Sequence, residues 1–125
     1  MKLSIVEMNP NGHRLSYVRY IAEEARLRGV SSVFCVCSAA VVESAEWQML
    51  DSELFDDVVL IDQMATGALL EALAIQNPSK VVIPDGDVWL RSVASRARQF
   101  GRFNTRLLLM RSTLSFRGQS FTSAL

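Results

Sequence analysis

The groups able to do acid–base chemistry in this sequence stand just beyond short apolar runs: Glu7, His13, Asp62, Asp85 and Asp87. His13 is the only histidine. A histidine beside a carboxylate is a general base with its orienting partner, the arrangement that deprotonates a hydroxyl. Plainer roles compete for each residue. Asp87 is placed to cap a helix, Asp85-Gly86 reads equally as a turn, and His13 as a loop or capping residue. Asp85-Gly86-Asp87 offers two hard oxygens on a turn, which suits a divalent ion, but no third ligand is visible and no metal is expected. Asn11-Gly12-His13 opens a helix and can present amides to a phosphate. It is not G-x-G-x-x-G, so no dinucleotide cofactor is expected. Trp47 and Trp89 fall on helices as packing residues, with Trp89 close enough to the Asp85 loop to wall a pocket.

The elements that must position these groups are legible from the apolar pattern. Lys2 to Val6 reads as a buried strand, and the loop Glu7 to His13 follows it. The next helix carries Leu15, Val18, Ile21, Ala22 and Ala25 on one face. Arg14, Arg19, Glu23, Glu24, Arg26 and Arg28 are expected on the other, with Glu24 spaced to pair with Arg28. Gly29 stops that helix. Ser32 to Cys37 reads as a second strand, and Ser38 caps a helix from Ala39 to about Leu50. A third strand spans Val58 to Ile61, and Thr66 caps a helix with Leu69, Leu70, Leu73 and Ala74 inward. Asn77-Pro78 ends it. Lys80 to Ile83 is the fourth strand. It leads through Pro84-Asp85-Gly86-Asp87 to a helix closed by Gly101, and Arg106 to Met110 is the fifth.

Continuous apolar strands alternating with amphipathic helices imply an α/β fold, a doubly wound parallel sheet covered on both faces. The expected strand order is 3-2-1-4-5. Strands one and four are then neighbours, and the loops beyond their carboxyl ends meet at the switch point where such folds bind ligands. Residues 1–111 form the expected domain. The Ser/Thr-rich stretch 112–125 shows no period and reads as a loose tail.

The chain has 125 residues, half of them apolar, with 13 basic and 13 acidic side chains. That is one domain with an ordinary core and no net field to draw nucleic acid or an anionic membrane. No apolar run is long enough to span a membrane and none resembles a signal peptide, so a cytoplasmic location is expected. Cys35 and Cys37 share one face of a strand without metal-site spacing and read as buried free thiols.

Two stretches resemble a known family. Val6 to Gly29, with Asn11-Gly12-His13 and the closing Leu27-Arg28-Gly29, looks like the opening of GT-B glycosyltransferases, which begin with a strand, a Gly-His loop and a helix ending near Arg-Gly. Val82-Ile83-Pro84-Asp85-Gly86-Asp87-Val88-Trp89 is similar to the strand-Asp-x-x-x-Trp segment of some inverting members. The resemblance implies that His13 deprotonates an acceptor hydroxyl and that Asp85 orients it. Glu7, Asn11, Gly12, Asp87 and Trp89 would line the substrate site. A GT-B enzyme has two Rossmann-like domains and holds its nucleotide-sugar donor mainly in the second. This chain would therefore be an acceptor-side half, truncated or one subunit of a split enzyme.

Lys2 to Pro10 and Asp57 to Met64 are similar to response-regulator receiver domains, which implies phosphorylation at Asp62. Against this, the acidic pair after the first strand is reduced to Glu7-Met8, Arg111 stands where a lysine is expected, and no final helix is legible. A non-catalytic Rossmann-like binding module is the third reading.

Overall fold

The computed structural model describes residues 1–11, 13–62 and 65–109, together with the backbone of 115–116 and 119–120. In chain order the elements are β1 (Lys2–Glu7), α1 (Arg14–Leu27), β2 (Ser32–Cys37), α2 (Ala39–Glu43), α3 (Ala45–Gln48), β3 (Asp57–Leu60) and α4 (Thr66–Gln76). They continue with β4 (Lys80–Ile83), α5 (Gly86–Ser95), α6 (Ala97–Gly101), β5 (Thr105–Leu107), β6 (Ser115–Phe116) and β7 (Gln119–Ser120).

Strands β1 to β5 form one parallel sheet in the order β3-β2-β1-β4-β5, the expected Rossmann-like arrangement. Side chains alternate across it, as a pleated strand requires. Leu3 and Ile5 of β1, Val33, Cys35 and Cys37 of β2 and Val82 of β4 pack with Leu15, Val18, Ala22 and Ala25 of α1 and Val41 of α2. Val6, Val36, Val81 and Ile83 pack on the other face with Leu69 and Leu73 of α4, Trp89 of α5 and Phe100 of α6. Helices therefore cover both faces. This is why the central strands lack polar alternation.

The buried polar side chain on the second face of β1, Ser4, is satisfied. Ser4 Oγ donates to Gln76 Oε1 at 2.7 Å, and Gln76 Nε2 donates to the Cys35 carbonyl at 3.0 Å. Both residues are buried, so this pair of bonds ties α4 across β1 and β2. At the other end of β2, the Asp56 carboxylate accepts from the Val33 N–H at 2.8 Å and from Arg26 Nη2 at 2.9 Å. The bond from Val33 holds the Asp56 carboxyl below its ordinary range, with the charge of Arg26 adding to it. Cys35 and Cys37 are buried free thiols. A hydrogen bond with Cys37, reinforced by burial, raises the Cys35 pKa, so it is not a thiolate nucleophile near neutrality.

Several boundaries differ from expectation. The helix expected from Ala39 to Leu50 is broken at Ser44, whose extended backbone ends α2 and whose Oγ accepts from the Trp47 N–H to start α3. A serine that can bond a nearby amide favours a new cap over continuing the helix. Ser38 caps α2 as expected, accepting from the Val41 N–H. The helix expected to run to Gly101 is likewise interrupted, at Arg96, between α5 and α6. Thr66 is the first residue of α4, and Ala65 holds the cap position without a side-chain bond. Asn77 ends α4 in the left-handed conformation, φ 49°. Arg26 does not simply face solvent, because it reaches Asp56 and the Leu54 carbonyl. The expected Glu24–Arg28 pair forms at 3.6 Å. Of the expected tail, β6 and β7 pair antiparallel, and the rest lies outside the described residues, as do Gly12, Gln63, Met64 and Arg111.

Candidate functional site

Strand order decides where a ligand can sit. The chain leaves β1 through α1 toward β2 on one side, and leaves β4 through α5 toward β5 on the other. The loops beyond β1 and β4 diverge, which opens a crevice at the carboxyl edge of the sheet. A cleft of about 360 Å³ occupies that position, and among the described residues its walls are Glu7, Asn9, Asn11, His13, Arg14, Tyr17 and Pro84.

Each wall residue is held by the local fold. Glu7 is the last residue of β1, not the first of the loop, and it is 1% exposed. Leu3 and Ile5, two residues apart on the same strand, lie on the α1 face, and the pleat sends Glu7 the same way. The loop turns on asparagine side chains, since the Asn11 N–H donates to Asn9 Oδ1 at 2.9 Å. Ser38 Oγ donates to the Met8 carbonyl at 3.0 Å and moors the same loop to the start of α2. His13 is the cap residue of α1; its side chain makes no capping bond and is exposed. Arg14 and Tyr17 follow on the first turn, three residues apart and hence on one face.

The Asp85 carboxylate is engaged by Arg14 rather than by His13. Arg14 Nη1 lies 2.5 Å from Asp85 Oδ1, and Asp85 is buried. Among the described residues no hydrogen bond or ion pair joins His13 to Asp85. Arg14, expected on the solvent face, instead crosses from α1 to the β4 loop and forms part of the cleft wall. Asp85 occupies the cap position of α5, and Asp87, expected there, sits one turn-position inside the helix. Asp85, Asp87 and Trp89 are not among the described wall residues. Trp89 is 1% exposed and belongs to the core cluster on the second face, so it does not wall this cleft.

Glu7 has the most unusual environment. Its Oε2 accepts from the Asn9 N–H at 3.1 Å, while its buried Oε1 has no hydrogen-bond partner among the described residues. Burial is the main cause that pushes its pKa up to about 7, and the negative charge of Asp85 adds to this. The Asn9 bond, the Arg14 charge and, least, the Met8 N–H oppose the rise. A carboxyl that titrates near neutrality inside a cleft can both give and take a proton there. Its position one residue past an apolar strand was visible in the sequence. Its burial was not, because that depends on α1 folding over it.

Asp62 stands apart. It is exposed beyond β3, the edge strand, with β2 between β3 and β1. Doubly wound receivers use the order 2-1-3-4-5, which brings the third strand beside the first. Here Asp62 cannot share a metal ion with Glu7. Among the described residues no group of three or more His, Cys, Asp or Glu side chains could hold a metal. No described helix is long and apolar enough to cross a membrane.

Comparison with protein-family models, with curated proteins and with solved structures finds no match for this chain.

Proposed function

We propose that the cleft between the β1 and β4 loops binds the hydroxyl-bearing acceptor of a group-transfer reaction. On this reading the chain is the acceptor-side half of a glycosyltransferase, with a nucleotide-sugar donor held by a second domain or subunit. The observation that supports it most is the gathering of His13, Glu7 and the Arg14–Asp85 pair at the switch point of a Rossmann-like sheet. Arg14 offers donors to an acceptor oxygen, and Asn9 and Asn11 offer both donors and acceptors. Two wall side chains can take the proton of an attacking hydroxyl: His13 on the rim, which the family resemblance assigns to that role, and Glu7 at the end of β1. Asp85 acts through Arg14, by fixing where the guanidinium points.

The test is an amide NMR titration of the full chain with methyl α-D-glucopyranoside, methyl α-D-mannopyranoside and N-acetylglucosamine, against UDP-glucose. The expected result is that at least one neutral sugar shifts the amides of Asn9, Asn11, Arg14 and Tyr17, while the nucleotide sugar does not bind there. Shifts confined to other surfaces, or UDP-glucose seated in this cleft, would overturn the acceptor assignment and favour a different binding module.

A further inference from the structure

Resting on the hydroxyl-acceptor reading, we propose that Glu7 is the residue that takes the proton from the acceptor hydroxyl, with Oε1 as the accepting atom. Three observations carry this. Glu7 lines the cleft, it is almost wholly buried, and its Oε1 has no hydrogen-bond partner among the described residues. A buried carboxylate oxygen without a partner destabilises a fold unless something else occupies its bonding site. The two oxygens are also inequivalent. Oε2 already accepts from the Asn9 N–H, so the proton of the neutral acid belongs on Oε1. Glu7 therefore presents one switchable position, an acceptor when ionised and a donor when neutral.

The proposed step balances simply. The acceptor oxygen forms a bond to the reacting carbon of the nucleotide sugar, and its proton passes to Glu7 Oε1. The bond between that carbon and the diphosphate oxygen breaks, and the electron pair leaves on the nucleoside diphosphate. Burial favours the neutral carboxylic acid over the carboxylate, so it strengthens Glu7 as a base for this transfer. Glu7 titrates at about 7, within the working range of a general base. The charged and titratable groups around it are Asp85 beyond β4, Arg14 and His13 at the start of α1, and Cys35 and Cys37 on β2. Asp85 is offset by Arg14, and the Cys35 thiol stays neutral.

The test uses dicyclohexylcarbodiimide, which adds as a whole molecule to a protonated carboxyl. The full chain is treated at about pH 6 and about pH 8, and the tryptic peptide Leu3–Arg14 is sequenced by tandem mass spectrometry, which locates the adduct without needing a variant to fold. The expected result is selective labelling at Glu7, roughly tenfold faster at the lower pH, as a group titrating near 7 requires. Excess methyl glycoside from the NMR panel should slow the labelling several-fold. No adduct at Glu7 while surface carboxyls react, or a ratio close to the roughly hundredfold that a carboxyl of ordinary pKa gives between these pH values, would overturn the role of Glu7 and leave the acceptor reading standing. Selective, pH-dependent labelling that no sugar slows would overturn the proton-transfer proposal through its ligand, because it contradicts the hydroxyl-acceptor reading on which it rests.

Discussion

Two carboxylates near the cleft, Glu7 and Asp85, are set apart by their surroundings. Glu7 ends a buried strand with one oxygen that has no partner among the described residues, whereas Asp85 is buried against the guanidinium of Arg14. The folded pKa of Glu7, about 7, lies above its ordinary value of 4.5, so the folded state holds the proton more tightly than the unfolded one. The stabilisation from that proton is complete below about pH 4.5 and is lost as the pH rises through about 7. Such a shift corresponds to roughly 3 kcal/mol. Glu7→Gln removes this dependence. Urea unfolding should therefore show the variant gaining stability relative to the parent between about pH 5 and pH 8, by up to about 3 kcal/mol. A parallel pH dependence in both proteins would show that Glu7 titrates normally. Arg14→Ala leaves the buried Asp85 carboxylate without its cation and is expected to cost about 3 kcal/mol. Asp85→Asn should cost less, since a neutral amide needs no counter-charge. Equal losses in thermal unfolding would contradict that assignment. None of this pairing is visible locally in the sequence. Arg14 looks like one more polar residue on a helix until the strand order brings the β4 loop to it.

At the scale of elements, one glycine decides how closely α5 approaches β5. The Gly86 N–H donates to the Leu108 carbonyl at 2.9 Å, and a Cβ at Gly86 would stand 2.5 Å from that carbonyl oxygen. Gly86→Ala must push the start of α5 off β5, at an expected cost of about 1–3 kcal/mol. The same shift would move Pro84 and Asp85, so the cleft should be perturbed along with stability. A thermal unfolding midpoint unchanged by G86A would show that the contact is slack. Ser38 is a second such joint, capping α2 and holding the Met8 carbonyl. Ser38→Ala should lose about 1 kcal/mol. Strands β1, β2 and β4 were legible because their apolar runs are short, unbroken and bounded by turn residues. The break at Ser44 was less so, because serine is equally at home within a polar helix face and at a cap. Periodicity placed α1 correctly, yet it could not say which polar residues on its first turn meet another element.

For the whole molecule, the strand order carries the functional argument. The same five βα units wound as 2-1-3-4-5 would set the third strand beside the first and join Asp62 to Glu7. Wound as observed, they leave Asp62 on an edge and open the crevice between β1 and β4. Acetyl phosphate with Mg²⁺ is therefore expected to leave the intact mass of the chain unchanged. An added phosphoryl group, lost in Asp62→Ala, would favour the receiver reading. On the proposed acceptor-half reading, the isolated chain is expected to transfer no sugar from a nucleotide donor, and turnover by the chain alone would contradict that reading. Whether this cleft receives a sugar hydroxyl is answered by a crystal structure of the chain soaked with the methyl glycoside that perturbs it. The expected result is one sugar ring in the cleft, with a hydroxyl within about 3 Å of Glu7 Oε1 and another on Arg14. A ring bound elsewhere, or seated in the cleft with Glu7 Oε1 still unpartnered, would contradict it.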